Sequence, residues 1–300
     1  MEKSLLRGSI SYYMEKLHFP TDAVTDVLDA FDRIAANGTE SARFLKIIAD
    51  YAASSQLHFA PVHEEIDSIC GNTQVHTYTG VLLLYLCLAD TLRTHYRKAD
   101  IDEQIFWDSL RDFSYKLEEC RLVYGINGNS TGMWPSGFFK LKLFALGRLQ
   151  FELTTLKKPY TCAGIALPEG QLAIGIHIPR TGGPLPHGEV QAAYRMAADF
   201  FGKHFTEGPI VFTCHSWLLD PWNLTVLRPD SNLSAFIRDF EIVETKEYPD
   251  YSQLWRLFDC NYEGDPDALP ADTSLRRAYV ERVRRGEKTG CGRGIFIFKQ

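Results

Sequence analysis

No apolar run in this 300-residue sequence is long enough to cross a bilayer. The longest, Val81–Ala89, falls well short of the roughly 20 residues a membrane helix needs and reads as a buried helix. The N-terminus lacks an uninterrupted hydrophobic stretch as well. MEKSLLRGSISYYMEKL mixes charges among its apolar residues, so no secretory leader is expected. There is no excess of positive charge. Thirty-two Lys and Arg against 38 Asp and Glu give a net charge of −6, which argues against bulk nucleic-acid binding and against a polybasic membrane anchor. The seven cysteines are scattered, odd in number and without a CxxC pair. That usage fits reduced thiols in a cytoplasmic protein, and neither a disulfide framework nor a metal site is expected. Internal repeats and low-complexity tracts are missing too.

What is present is an ordinary globular composition, 45% hydrophobic and 23% charged. Its periodicity changes partway along. Residues 1–125 read as a helical N-terminal domain. Val24, Val27, Leu28, Phe31 and Ala35 share one face behind a cap at Thr21. Phe44, Ile48 and Tyr51 follow a cap at Thr39, and Phe106, Leu110, Phe113, Leu117 and Cys120 step by four and three. Residues 126–137 (INGNSTGMWPSG) read as a linker or ordered loop. From 138 to 300 strands alternate with helices. Leu146–Leu156 and Tyr160–Leu167 read as a hairpin pair. Strands follow at Gln171–Pro179, Pro209–Trp217, Phe240–Lys246 and Gly294–Lys299, with helices at Glu189–Phe205, after Ser231, and at Ser274–Arg285. The expected fold class is α+β (mixed α/β): a helical domain, then a mixed sheet flanked by helices.

The segment Gln171–Phe205 carries the most chemistry. An apolar strand, QLAIGIHIP, runs into RTGGPLPHG and then into an amphipathic helix. A strand delivered to a helix N-terminus makes an anion site, because the first helical N–H groups lack backbone partners and the dipole is positive there. Arg180, Thr181, Gly182, Gly183 and Leu185 are the candidate phosphate-binding residues. The alternative is a tight strand-to-helix connection with no ligand.

This order of elements resembles the GNAT acetyltransferase superfamily, whose cofactor half has an antiparallel meander, a splayed strand, a pyrophosphate loop and a helix. Arg180 and the glycines match the family's loop pattern, and Leu185 departs from its final small residue. The whole chain also resembles a bacterial group that pairs a helical N-acyltransferase N-terminal domain with a GNAT-like C-terminal domain. GRLQFE (Gly147–Glu152), IHIPRTGGPL (Ile176–Leu185), FTCHSWLLDP (Phe212–Pro221) and PDSNLSAF (Pro229–Phe236) carry that resemblance. It implies acetyl-CoA or another acyl-CoA as cofactor, with the pantetheine arm along Ile176 and Ile178, and a small-molecule or peptide amine as acceptor.

Four residues are candidates for the chemistry. On alternating geometry His177 lies on the strand face with Ala173 and Gly175, opposite Ile174 and Ile176, and its small neighbours leave room for a base. Glu152 is a carboxylate late in an apolar strand. Cys214 and His215 are adjacent on the next strand and therefore point to opposite faces. Which of them meets His177 depends on register. No tyrosine stands in Ser231–Phe236, where the superfamily often keeps a general acid, so water, Ser216 or Ser231 is the expected donor. Trp134, Trp217, Trp222 and Trp255 read as core or as an apolar acceptor wall. Arg276, Arg277, Arg282, Arg284 and Arg285 read as a solvated basic helix face. Three functions stay open: an acyl-CoA-dependent N-acyltransferase, a non-catalytic GNAT-like binding or regulatory module, and a cysteine hydrolase built on Cys214 and His177.

Overall fold

Helical periodicity holds from the N-terminus to Tyr124 and then gives way to strands. The computed structural model describes residues 3–54, 58–180, 183–206 and 208–299. The chain divides into two compact units, Met1–Phe144 and Ala145–Gln300.

The first unit contains α1 (Lys3–Lys16), α2 (Thr21–Ala36), α3 (Gly38–Ala53), α4 (Phe59–Thr73), α5 (Thr77–Lys98), α6 (Glu103–Leu110), α7 (Asp112–Tyr124) and the short α8 (Ser136–Phe139). Helix α5 is apolar on every side from Val81 to Ala89, and every one of those residues is buried, because α1, α2, α3 and α4 surround it. Tyr85 at its centre stacks on Phe59 at 5.7 Å and meets Phe139 at 4.9 Å. The expected cap at Thr39 is displaced by Asn37. Its side chain accepts from the Glu40 N–H, and extended backbone at Asn37 puts the helix start before Thr39. Thr21 is likewise the first residue of α2, after Pro20. The Gly/Asn/Ser-rich segment is tied to α5. Asn129 N–H donates to the Tyr78 carbonyl, and a side chain at Gly128 would come 2.5 Å from the Tyr78 carbonyl carbon. Tyr51 donates to the Phe139 carbonyl. These bonds carry the first unit on to Phe144.

The strands and helices that follow are β1 (Leu143–Leu146), β2 (Leu149–Thr155), β3 (Tyr160–Cys162), β4 (Ile165–Leu167), β5 (Leu172–His177), α9 (His187–Phe201), β6 (Val211–Ser216), α10 (Asn223–Val226), α11 (Asn232–Arg238), β7 (Glu241–Glu247), α12 (Trp255–Phe258), α13 (Ser274–Arg284) and β8 (Gly290–Ile297). Six strands form one sheet in the order β1-β2-β5-β6-β8-β7. β5 and β6 are parallel, joined through α9, while β2–β5, β6–β8 and β7–β8 are antiparallel. This is the expected mixed sheet flanked by helices. The expected hairpin between Leu146–Leu156 and Tyr160–Leu167 does not form. β2 pairs with β5, and residues 160–167 fold on themselves as a separate β3–β4 sheet. The cause is the two-residue turn at Ala163 (φ 50°) and Gly164 (φ 78°), both left-handed as a tight hairpin turn demands.

Strand alternation gives the large sheet two unlike faces. Phe151, Ile174, Ile176, Phe212 and Phe296 share one face by register. There Phe212 and Phe296 stack at 4.8 Å, and Tyr194 of α9 sits 4.8 Å from the Phe296 ring. On the other face Ala173, Val211 and Ile295 pack with Leu156, Cys162 and Leu167 around the β3–β4 hairpin. The remainder of that second face carries Glu152, Gly175, His177, Thr213, His215 and Arg293.

Candidate functional site

β5 and β6 run together only through Ile174↔Phe212, Gly175↔Thr213 and Ile176↔Cys214. Beyond that point each keeps its other neighbour. His177 stays registered with Gln150 of β2, while His215 and Ser216 stay registered with Arg293 and Gly292 of β8. A wedge therefore opens between two parallel strands at the end of β5, past Ile176↔Cys214. Where two parallel strands diverge, a ligand can approach the backbone between them.

At the mouth of this wedge two of the four chemical candidates meet. Glu152 is registered with Gly175, two residues from His177 on the same face. The imidazole Nε2 lies 3.0 Å from Glu152 Oε1. Both side chains are partly open to solvent, 31% for His177 and 40% for Glu152. Gly175 makes this possible, since a Cβ there would come 3.3 Å from Glu152 Cγ and 3.4 Å from Thr154 Cγ2. A carboxylate accepting from Nε2–H leaves the basic lone pair on Nδ1 and fixes the ring's orientation. An imidazole oriented by a carboxylate is an arrangement suited to a base.

The other two candidates lie elsewhere. Cys214 is registered with Ile176 and Gly294, so its side chain is on the apolar face, away from His177. It is buried, and burial pushes its thiol up to about 12. A thiolate nucleophile paired with His177 is not assembled, and the cysteine-hydrolase expectation is corrected on this geometry. His215 shares the face of His177, but its Nε2 lies 3.2 Å from Cys291 Sγ. The residue is exposed overall, and partial burial of its ring first, with Arg293 second, draws it below the usual histidine value. Ser216 and Ser231 act as helix caps, accepting from the N–H groups of Leu218 and Ser234. The tryptophans are divided between the two units. Trp134 is in the first unit, whereas Trp217 and Trp222 pack on Tyr279.

The loop at the end of β5 opens on Arg180 and is flanked by Arg148 and Arg276. Thr181 and Gly182 lie outside the described residues. Ile176 is buried, Ile178 half-buried, Gly183 exposed, and Leu185 buried at 6% exposure. Arg180 reaches Asp259 at 2.7 Å, and the other oxygen of Asp259 takes Arg276 at 2.6 Å. Arg148, in the turn between β1 and β2, donates to the carbonyls of Pro179 and Pro184 and so straps both ends of the loop. Two guanidinium groups thus share the Asp259 carboxylate, with Asp272 on the exposed side of Arg276 and Arg148 bonded to the loop backbone. α9 begins immediately afterwards with Pro186 as a cap that offers no side-chain acceptor. This surplus of positive charge beside a helix start suits a diphosphate.

Arg148 and Asp259 were not singled out from sequence, and Arg276 was read as solvated. In fact Arg276 is 17% exposed and Arg282 9%, the latter paired with Asp220 at 2.9 Å. Arg277, Arg284 and Arg285 of that cluster make bonds on the exposed surface, as does Arg276 to Asp272. The one available signal was Arg148 itself, which sits inside the GRLQFE segment.

Two family models cover the chain: the N-acyltransferase N-terminal domain matches residues 9–141, and the GNAT-like C-terminal domain matches residues 143–296. The fold is similar to that of an acyltransferase in complex with decanoyl-CoA and teicoplanin, at 22% identity and a TM-score of 0.73, over 95% of this chain and 86% of that one. A mutant acyltransferase in complex with octanoyl-CoA gives 21% identity and a TM-score of 0.73 over the same shares. An acyltransferase in complex with decanoyl-CoA gives 20% and 0.64 over 97% of this chain and 99% of that one. No curated protein is significantly similar in sequence.

Proposed function

From the premise that this chain belongs to the family of acyltransferases with a GNAT-like C-terminal domain, we propose that it moves an acyl group from an acyl-CoA to an amine. The observation that carries the reading is the wedge after Ile176↔Cys214 with the bonded pair Glu152–His177 at its mouth. Structural neighbours in complex with decanoyl-CoA and octanoyl-CoA support an acyl-CoA as the donor. The loop around Arg148, Arg180 and Arg276 would hold the diphosphate, and the end of β5 at Ile176–Ile178 would hold the pantetheine arm. When bound, the cofactor supplies an activated thioester carbonyl. N–H groups of the β5 edge stabilise the charge that develops on the carbonyl oxygen. His177, oriented by Glu152, takes the proton of the incoming ammonium so that the free amine attacks. The protonated imidazole then stands ready to return that proton to the departing thiolate, a role no tyrosine of α11 fills. Alignment of amine and thioester in the wedge contributes much of the rate. Such chemistry fits a cytoplasmic protein, and all seven cysteines are free thiols.

Calorimetry with acyl-CoAs from acetyl to decanoyl, followed by thiol release over an amine panel, tests the reading. Saturable binding and amine-dependent release are expected, and the length series also fixes the acyl specificity. Absence of binding to every acyl-CoA overturns it. A second reading, a non-catalytic module, is favoured by the ion pair that already engages Arg180 with Asp259. It predicts binding without amine-dependent release.

A further inference from the structure

The polar face that carries Glu152 and His177 continues across β6 onto β8. His215 is registered with Arg293, and Gly175, Thr213 and Ile295 form one continuous row, so alternation puts Arg293 on the face of His177. Among the described residues Arg293 makes a single ion-pair contact, with Glu244 Oε2 at 3.5 Å, and its side chain is 27% exposed. The same carboxylate already accepts from Lys158 Nζ and Tyr160 Oη, each at 2.9 Å. Two cations therefore share one anion, and the surplus positive charge lies on a guanidinium fixed to a central strand. A planar fork of donors, largely covered and with no side-chain hydrogen bond among the described residues, is suited to a carboxylate brought by a ligand.

We propose that Arg293 binds an anionic group of the acceptor, which makes the acceptor a peptide-like amine with a free carboxylate. This rests on the acyl-transfer reading above. The amine lies at His177 on β5 and the carboxylate at Arg293 on β8, two strand spacings away. Two ladder spacings are roughly 10 Å and the wedge between β5 and β6 adds to that, while an extended chain advances about 3.3–3.6 Å per residue, so an acceptor of at least three residues is needed to span the gap.

The test compares triglycine with triglycine amide as acceptors, using decanoyl-CoA and thiol release, in the wild-type protein and in Arg293→Gln and Arg293→Lys. Wild type is expected to show a KM at least ten-fold lower for the acid than for the amide. Arg293→Gln is expected to erase that difference with kcat for the amide unchanged, and Arg293→Lys to restore part of it. Thermal melting checks that each variant is folded. Equal KM values for acid and amide in the wild type, or full discrimination kept in Arg293→Gln, overturn the proposal. If neither peptide is acylated, calorimetric binding of triglycine to the CoA complex decides: binding that Arg293→Gln abolishes supports the site, and no binding or equal binding overturns it. Binding of decanoyl-CoA, measured separately, reports on the acyl-transfer reading and is expected to be the same in all three proteins.

Discussion

The two faces of the large sheet are made of the same strands and differ by one residue of phase. One face holds Phe151, Ile176, Phe212, Cys214 and Phe296 against α9, and it is sealed. The other holds Glu152, His177, His215 and Arg293, and it is partly open to solvent. A period of two sorts side chains this way without any extra element. The reactive groups lie on one face only, beside the cluster around Ala173, Val211 and Ile295, so a substitution among them is expected to affect activity and spare the packing of the Phe212 face.

The largest expected effect comes from the sealed face. Phe212→Ala removes a ring stacked on Phe296 and is expected to cost about 3–5 kcal/mol of unfolding free energy, read as a lower urea midpoint. A loss below about 1 kcal/mol would show that the apolar face is not the main support of this unit. On the open face His177→Gln is expected to lower kcat by about 100-fold, or about 2.7 kcal/mol in barrier, with melting unchanged. A parallel fall in stability would collapse the division between the faces. Arg180→Ala lies at the wedge's far end and is expected to weaken acyl-CoA binding by about 1–3 kcal/mol. Calorimetry showing unchanged affinity would remove the diphosphate from this loop.

Cys214→Ala sharpens the contrast, because it lies next to His215 in sequence yet on the sealed face. It is expected to cost about 1 kcal/mol of stability and to leave turnover intact; a dead enzyme would put the thiol back into the chemistry. The smallest effect concerns His215. Its folded-state pKa lies below the unfolded value of about 6.5, because burial and Arg293 disfavour the charged ring. The unfolded chain then binds more protons in that window, so stability is complete above about pH 6.5 and declines as pH falls through it. His215→Gln is expected to flatten the urea midpoint between about pH 5 and 7 relative to wild type. An unchanged slope would mean that the ring is not held neutral.

Much of the fold was legible locally. The helical stripes, the crossover helix after Gln171–Pro179 and the cap at Ser231 all depend on residues within a few positions of each other. The β3–β4 hairpin was not legible, because Tyr160–Leu167 has equally good alternation whether it pairs with β2 or with itself. The left-handed turn at Ala163–Gly164 decides it. At the site, Glu152 and His177 were each legible as reactive types, but their bond spans 25 positions and needs the β2–β5 register. Asp259 and Arg276 were hidden for the same reason. A charged residue on an amphipathic helix looks solvated until a distant carboxylate is found beside it.

Composition and periodicity alone determined that this chain has a helical half and a mixed-sheet half, and which strand meets a glycine loop. Those properties follow from forces between near neighbours along the chain. Only the tertiary structure decided that His177 joins Glu152, that Cys214 turns away from both, and that Arg180 shares Asp259 with Arg276. Each of these depends on register between separated strands or helices, where a shift of one residue exchanges the two faces.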